Sequence, residues 1–311
     1  MSLSPTRPRP MTVEAAPAAA RRARVMRRLT PYLFVAPALL VLLAFSLGPF
    51  VHGIWLSFYR WDGISPGTWV GAGNYRSLWH DATIRRSFLN AAMLLFFSAL
   101  IPLAIALLVA GGLRRVRLRG LTAYRTLIFL PFVLPGAVTA IIWHWLLGDP
   151  GPVNRLLSAA GLGSLTRPWL ADFTFALPTL GLVAAWSVLG VPIALFIAGA
   201  QKIPVSLYEA ARVDGAGAWR ELLAVTLPGL RNEIVAATVL LVTWVLKMFE
   251  LIFLLTAGGP GTDTTTMPGF ELYRTAFENE AVGLGAALAT VLTVIIFVIT
   301  ALITRLEDRQ P

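Results

Sequence analysis

The sequence has no cysteine, few histidines and little charge. Of its 311 residues none is cysteine, three are histidine (His52, His80 and His144) and 14% are charged, while 57% are hydrophobic. The lack of cysteine excludes disulfides, thiol nucleophiles and thiolate metal sites, and histidines this scattered argue against a histidine metal cluster. Because about a quarter of the residues in a soluble domain are charged, the composition indicates a membrane protein.

Several motifs with a known chemical role are also absent. There is no G-x-x-x-x-G-K-[ST] loop, no H-E-x-x-H and no G-x-S-x-G. The chain therefore does not hold ATP in a phosphate loop of its own, and we predict no catalytic residue and no metal site. The formal net charge of +10 is also found in nucleic-acid binders. In a membrane protein the placement of Lys and Arg matters more than their sum, and we predict no nucleic-acid partner.

Six apolar runs are long enough to cross the hydrocarbon core of a membrane, which takes about 20 helical residues. They cover residues 31–58, 87–112, 121–148, 174–200, 232–257 and 281–304. We therefore predict an all-α polytopic membrane protein with six transmembrane helices. Pro131 and Pro135 interrupt the third run, and Gly190 and Pro192 the fourth. Such breaks are tolerated where a membrane helix lines a cavity.

Positive charge is concentrated in alternate connections. Of the 26 Lys and Arg residues, 18 lie in segments 1–30, 113–125, 201–231 and 305–311, and seven in the other connections. The positive-inside rule places the richer set, and with it both termini, in the cytoplasm. This predicts a disordered basic cytoplasmic tail (1–30), a first span with an outer loop (31–86), a core domain (87–304) containing the cytoplasmic loop 201–231, and a cytoplasmic tail (305–311).

One polar stretch, from Glu209 to Pro228, stands between two of these apolar runs. It begins as an amphipathic helix and is broken at Asp214-Gly215, a dipeptide typical of turns. It then continues as a second amphipathic turn around Trp219 and ends at Pro228. The pattern alone is compatible with a solvated surface loop and with a short helix pair that docks into a partner.

The same stretch resembles the EAA loop of ABC importer permeases, whose pattern is EAA, two residues, DGA, and a hydrophobic helix ending in LP. The matching residues are Glu209, Ala210, Ala211, Asp214, Gly215, Ala216, Leu227 and Pro228. Leu222, Val225 and Asn232 stand where the family usually has Phe, Ile and Pro. The first two departures keep the hydrophobic face of the second helix.

Further segments, in consistent order over residues 31–304, resemble the sugar-importer branch that includes the maltose and glycerol-3-phosphate permeases. They are Val70-Gly71 with Asn74-Tyr75, Arg125 to Pro135 with Trp143, Ile203-Pro204, and Thr256 with Gly258-Gly259-Pro260. The resemblance implies a type I ABC importer permease fold in the bacterial plasma (inner) membrane. The implied function is the permease subunit of an ATP-driven, binding-protein-dependent importer that moves a sugar by alternating access. Its substrate is expected to be a di- or oligosaccharide or a related carbohydrate, and glycerol-phosphate esters also remain open.

The resemblance also implies partners and residue roles. The partners are a second homologous permease, an extracytoplasmic solute-binding protein, and two ATPase subunits that bind ATP and Mg, so that no cofactor is expected on this chain. Glu209 is expected to offer a carboxylate to a basic group of the ATPase, and Gly215 to adopt a backbone conformation that a side chain would resist. Two further sets follow: a flat docking surface from Ala210, Ala211 and Ala216, and a buried second helix from Leu222, Leu223 and Val225.

A substrate path is predicted from the same alignment. Its residues are Trp186, Val188, Leu241, Trp244 and Glu250, of which the first four align with cavity-lining positions of maltose-type permeases. Sugars bind through aromatic faces and a few placed polar groups. The alternative for each Trp is packing within the bundle or anchoring at the membrane interface.

Charged residues near the spans have two interpretations. Lys247 and Glu250 lie three residues apart, so they are expected to share a helix face and to pair, either as an ion pair or as a polar patch on the transport path. Arg85 and Arg86 are predicted to contact lipid headgroups. An alternative function, a stand-alone ion-coupled secondary transporter, would need buried acids, and Glu250 and Glu233 are the acids in or near a span.

Overall fold

The computed structural model describes residues 18–113, 121–261 and 263–308, where the regular structure is almost entirely helical. In chain order the helices are α1 (Ala18–Leu42), α2 (Gly48–Leu56), α3 (Gly73–His80), α4 (Ala82–Leu95), α5 (Ile101–Leu113), α6 (Leu121–Val133), α7 (Gly136–Leu147), α8 (Pro152–Ala159), α9 (Ala176–Val188), α10 (Gly190–Lys202), α11 (Val205–Val213), α12 (Ala218–Glu221), α13 (Leu227–Gly229), α14 (Arg231–Leu246), α15 (Glu250–Leu255), α16 (Pro268–Tyr273) and α17 (Val282–Asp308). Within the described ranges there are four π-helical turns: Leu43–Leu47, Phe96–Leu100, Leu222–Thr226 and Arg274–Glu278. The same ranges hold one strand pair, β1 (Tyr59–Arg60) and β2 (Thr68–Trp69), so the all-α prediction is confirmed.

The chain divides into residues 1–53 and residues 54–311. The first unit is a helix that starts at Ala18, so the part of the predicted disordered tail from Ala18 to Thr30 is helical; residues 1–17 lie outside the described ranges. Ala and Arg favour helix strongly, which extends the apolar helix toward the N-terminus. From Thr30 onward this helix has the length and apolar composition of a membrane span, and its side chains are exposed.

Three helical segments are long enough to span a membrane without a break: Thr30–Leu56, Ala82–Gly112 and Val282–Arg305. Three more spans are possible as bent pairs: Thr126–Val133 with Gly136–Ala159 at 102°, Ala176–Val188 with Gly190–Lys202 at 44°, and Ala218–Gly229 with Arg231–Leu246 at 73°. The first bend lies at Pro135 and the second at Leu189, beside Gly190. Both breaks were predicted from residues that disrupt helices.

The fifth predicted run, residues 232–257, is not continuous. Helix α14 ends at Leu246, Lys247 is its C-cap, and a new helix starts at Glu250. Phe249 turns away to pack against Phe253, Phe270 and Tyr273, with ring centroids 4.9–6.5 Å apart. The break separates Lys247 from Glu250, and no ion pair joins them in the described part of the chain. The prediction that they share a helix face and pair is therefore wrong.

Two apolar clusters hold residues 54–311 together. One joins α4, α7, α9, α14, α15, α16 and α17, and its largest fully buried members include Leu94, Leu180 and Ile252. The other joins α5, α10, α11 and α14 through small residues packed around Ile193, Phe196 and Tyr208; the small ones are Ala106, Ala110, Ala200 and Ala237. Small residues let membrane helices approach closely, and van der Waals packing then replaces the hydrophobic driving force that lipid does not supply.

We call the end of the bundle that carries α11 and α12 the loop end, and the end that carries β1, β2, α3 and α16 the hairpin end.

At the hairpin end, polar side chains fix the connections. Asn74 donates from Nδ2 to the carbonyls of Ser57 and Tyr59, both at 2.8 Å, which ties α3 to the chain before β1. Asn90 of α4 donates to the carbonyls of Asp263 (2.9 Å) and Thr266 (3.0 Å). Because the two amides bridge backbone atoms that lack helical partners, they hold the loops in place.

Glu271 is the buried acid of this end. Its Oε1 accepts from Thr266 Oγ1 at 2.5 Å and from Arg274 Nη1 at 2.9 Å. Burial raises the pKa of Glu271 above its ordinary value, an effect that the hydrogen bond from Thr266 and the charge of Arg274 partly offset. The folded chain therefore favours the protonated form more than the unfolded chain does.

This shift predicts a pH dependence of stability. A carboxyl group with a higher pKa in the folded state contributes stability below its unfolded pKa, and that contribution is lost as the pH rises through the folded pKa. We expect the contribution of Glu271 to the melting temperature to be lost as the pH rises above about 4.3, and Glu271→Gln to remove this part of the pH dependence. Thermal unfolding followed by tryptophan fluorescence across a pH series measures it, with the exposed neighbour Glu278→Gln as control. A Glu271→Gln curve parallel to that of the wild type would refute the prediction.

Candidate functional site

The loop end carries two short helices, α11 and α12, joined by a tight turn. Three backbone hydrogen bonds close α11, from the N–H groups of Asp214, Gly215 and Ala216 to carbonyls of the preceding turn, at 2.9–3.0 Å. Gly215 has φ +77°, in the left-handed region where a Cβ is unfavourable, and this is a common way for a helix to end. The predicted backbone role of Gly215 is thus seen in the geometry of the turn.

An ion pair braces α11 against α12 across this turn. Arg212 donates from Nε and Nη2 to the two carboxylate oxygens of Glu221, both at 3.3 Å. Glu221 is buried, and its hydrogen bonds and charge raise the pKa of Arg212 above its already high ordinary value. A two-point contact between planar groups fixes orientation as well as distance, so the angle between the helices is set within the loop. Neither residue belongs to the predicted site.

The inner face of the loop is seated on the bundle. Leu222, at the start of a π-helical turn, is 6% exposed and lies over Gly111 of α5, where a Cβ would come within 2.5 Å of Leu222 Cδ1. Tyr208 of α11 is buried in the second apolar cluster, and its hydroxyl lies 3.2 Å from Thr226 Oγ1. The predicted burial holds for Leu222 and in part for Val225. It is wrong for Leu223, which is exposed, because the π-turn shifts the side chains off the regular helical phase.

The outer face of the loop is exposed and partly apolar. Val213 is 87% and Trp219 64% exposed, and Glu209 and Ala210 are exposed beside them. The remaining motif residues lie around this face: Asp214, Gly215 and Pro228 are exposed, and Ala211, Ala216 and Leu227 are half-buried. Exposed large apolar side chains next to a carboxylate on a rigid turn are typical of a surface that meets another protein.

A second ion pair connects the loop to the spans. Lys202, the last residue of α10, donates to Glu233 Oε1 of α14 at 3.0 Å. It links the segments that enter and leave the loop. Together with the seat of Leu222 on α5, it attaches the loop to three spans.

The predicted substrate-path residues fall into two groups. Trp186 packs edge-on against Trp143 with centroids 5.4 Å apart, and Val188 and Leu241 are buried against each other and Ala99. Trp244, which is 36% exposed, and Glu250 lie at the surface of the chain. The structure thus does not bring the five together on one open surface, and their assignment to a substrate path stays a prediction.

The Glu250 carboxylate has a specific neighbour. A Cβ on Gly136 would lie 2.5 Å from Glu250 Oε2, so the carboxylate lies against the first turn of α7, just after the 102° bend between Val133 and Gly136. The N-terminus of a helix carries partial positive charge. The contact of Glu250 with the start of α7 explains how this acidic residue is accommodated between apolar segments, although it forms no ion pair with Lys247.

The acidic and histidine side chains of the described residues were compared with the arrangement that a metal ion requires. They hold no group of three or more His, Cys, Asp or Glu residues placed to bind a metal ion. The residues that sequence reasoning missed, Arg212, Glu221, Tyr208 and Gly111, all act within the loop or beneath it. For Arg212 and Glu221 the available signal was a pair of opposite charges on either side of the Asp-Gly turn; Tyr208 and Gly111 had no such signal.

Comparison with known proteins gives consistent matches. The family described as "Binding-protein-dependent transport system inner membrane component" matches residues 103–310. The "Probable ABC transporter permease protein YurN" of Bacillus subtilis is 34% identical over 271 residues, which is 86% of this chain and 92% of that protein. The "Diacetylchitobiose uptake system permease protein NgcF" of Streptomyces coelicolor is 33% identical over 297 residues, 91% of this chain and 84% of that protein.

A solved structure shares the fold. It is a chain of the "bacterial ABC transporter involved in the import of the acidic polysaccharide alginate", with a TM-score of 0.79 and 24% identity over 93% of this chain and 99% of that chain. The structural match shows an ABC importer permease fold.

The seat of Leu222 on Gly111 can be tested with two adjacent glycines. We expect Gly111→Val to push Leu222 from its seat, at an overpacking cost of about 1–3 kcal/mol. Gly112 has no atom within 4 Å of its Cβ position, so Gly112→Val is the matched control. Hydrogen–deuterium exchange over residues 205–229 should rise several-fold in the first variant and stay near wild type in the second. Equal exchange in both variants would contradict the assignment, and Leu222→Ala in the Gly111→Val background should restore protection.

Proposed function

The chain belongs to the family of binding-protein-dependent transport system inner membrane components, and we propose that it is the permease subunit of an ATP-driven importer of a di- or oligosaccharide. As an ABC transporter permease the chain is itself no enzyme. The observation that carries the proposal is the braced helix pair of residues 205–229, which combines an exposed apolar and acidic face with an inner face seated on the spans. The names of two relatives, diacetylchitobiose uptake for one and lactose transport for another, support the substrate class.

The coupling step follows from the two faces of this loop. An ATPase subunit binds the outer face, with the Glu209 carboxylate directed at a basic group and Val213 and Trp219 in its cleft. Movement of the ATPase then shifts the loop as one piece because Arg212 and Glu221 brace it. Leu222 and the pair Lys202–Glu233 pass that shift to α5, α10 and α14, and rigid-body movement opens the transport path to alternate sides.

The orientation and partners complete the proposal. Both termini and the loop end lie in the cytoplasm, in keeping with the distribution of Lys and Arg. A second homologous permease completes the path, and two ATPase subunits bind ATP and Mg. An extracytoplasmic solute-binding protein docks at the hairpin end, where a polar cleft of about 380 Å³ opens between the hairpin and the start of α17; it is lined in part by Arg60, Trp61, Asp62 and Glu280.

The stand-alone secondary transporter is not favoured. Ion coupling would need acids that are free to change protonation along the path. Glu233 is paired with Lys202 at 3.0 Å, and the Glu250 carboxylate lies against the first turn of α7, where the helix carries partial positive charge.

Reconstitution tests the proposed function. The chain is expressed with the permease, ATPase and binding-protein genes that neighbour its own and placed in proteoliposomes. Uptake of the sugar that co-purifies with the binding protein should require both that protein and ATP hydrolysis. Uptake driven by an ion gradient, without ATP or the ATPase subunits, would overturn it.

Two glycines in the loop test the coupling step. Gly215 has φ +77°, whereas Gly217 has φ −73°, and the Cβ position of each is open. A β-branched residue strongly disfavours the left-handed region, so Gly215→Val should reshape the turn, while Gly217→Val should be tolerated. We expect the first variant to insert normally and to lose at least tenfold in uptake and in binding-protein-stimulated ATPase activity, and the second to keep both. Equal activity of the two variants would show that the turn is not needed for coupling.

The substrate path is tested by two tryptophans. Trp244 is partly exposed, while Trp186 packs on Trp143. We expect Trp244→Ala to raise the transport KM several-fold with a smaller loss of melting temperature than Trp186→Ala. Trp186→Ala should instead lower the melting temperature, because removing a packed aromatic ring costs about 3–5 kcal/mol. Transport kinetics and thermal unfolding on both variants distinguish these outcomes, and an unchanged KM in Trp244→Ala would exclude it from the path.

A further inference from the structure

An apolar groove of about 670 Å³ runs along the hairpin end, between α3, α4 and α17. Its lining is Tyr75, Leu78, Trp79, Ile84, Arg85, Phe88, Leu89, Leu288, Val291 and Ile295. Its floor is firm, because Leu78, Ile84 and Leu288 belong to one buried cluster. A groove with an immobile apolar floor is a ready binding surface for an elongated apolar group.

The groove follows the direction of a membrane span. From Leu288 to Ile295 it descends seven residues of α17, about 10 Å at 1.5 Å per residue. Trp79, 75% exposed, stands on α3 at the other end of the groove. Trp is enriched where the hydrocarbon meets the headgroups, so the groove starts at headgroup level and runs into the hydrocarbon.

One charge stands in this apolar lining. Arg85 lies in the first turn of α4, is exposed, and has no carboxylate within 4.0 Å among the described side chains. Nearby, Arg76, His80 and Arg86 are also exposed. The one acid between them, Asp81, caps α4 by accepting from the N–H groups of Thr83 and Ile84. The mouth of the groove is therefore positively charged, and a guanidinium is well suited to bind phosphate in a two-point contact.

We propose that this groove is a specific binding site for an anionic phospholipid. The phosphate binds Arg85, and an acyl chain lies along Phe88, Val291 and Ile295. Arg86 adjoins Arg85 in sequence but does not line the groove, so it adds to the field without forming part of the site. The sequence predicts contact with lipid headgroups for both arginines, whereas in the structure Arg85 lines the groove and Arg86 does not.

Photochemical labelling tests the site. The chain, in the assembly it forms in the cell membrane, is placed in nanodiscs of phosphatidylcholine that contain some phosphatidylglycerol with a diazirine in its acyl chain. Mass spectrometry should locate adducts on residues 75–89 and 288–295. We expect Arg85→Gln to reduce these adducts several-fold, Arg86→Gln to leave them near wild type, and Val291→Trp to remove them by filling the groove.

Three results would overturn the proposal. Equal losses in Arg85→Gln and Arg86→Gln would mean general attraction to the membrane surface and no site. Equal labelling by diazirine phosphatidylcholine would exclude selection of an anionic lipid. Absence of adducts at the groove, with crosslinks from Val291→Cys to another chain, would show that a protein segment covers it. The lack of native cysteine makes that last crosslink specific.

Discussion

Close packing between small residues at the loop end is the constraint on which the rest of the structure depends. Ala106 and Ala110 of α5 belong to one buried cluster with Ala200 of α10, and Leu222 of the loop fills the space above Gly111. In a membrane, lipid competes equally for apolar surface, so helices associate through close van der Waals contact. Because these positions carry Ala or Gly and no larger side chain, the loop lies closer to the spans. The loop is therefore held on the spans by close van der Waals packing more than by the hydrophobic effect.

Two of the breaks in the spans, at Pro135 and after Leu246, each place a charged group beside the end of a helix. The break at Pro135 starts α7 at Gly136, and the Glu250 carboxylate lies beside Gly136. The break after Leu246 leaves Lys247 as a C-cap, and a cation at a helix C-terminus is favourable. Charges between membrane spans are costly, and the ends of the broken helices reduce that cost without a direct ion pair.

A break or an exposed side chain could be predicted from the sequence when its cause lies in residues that are neighbours in the sequence. Breaks at Pro135 and beside Gly190 were predictable, since proline lacks an N–H and glycine weakens a helix within its own turn. The break after Leu246 has no such residue, and it arises from the packing of Phe249 against rings of α16. The exposure of Leu223 follows from a π-turn that adds a residue to the helical repeat, which periodicity at 3.6 residues does not reveal. The family motif located the loop, but not Arg212 and Glu221, whose separation of nine residues becomes a contact only after the Gly215 turn.

In the proposed coupling step, the ion pair between Arg212 and Glu221 determines how a displacement at the outer face of the loop is transmitted to the spans. A loop with an open hinge at Gly215 would absorb displacement by changing two dihedral angles, and the bundle would not move. With Arg212 held at two points and the turn in a left-handed conformation that few residues adopt, the pair α11 and α12 has one favoured angle. In the proposed coupling step, the displacement is passed on to the nearest bends in the spans, the 44° bend between Val188 and Gly190 and the 73° bend between Gly229 and Arg231. Both bends lie on the spans that carry Trp186, Val188, Leu241 and Trp244. In the proposed coupling step, the braced helix pair passes a displacement to these two bends, one within the fourth predicted run and one at the start of α14.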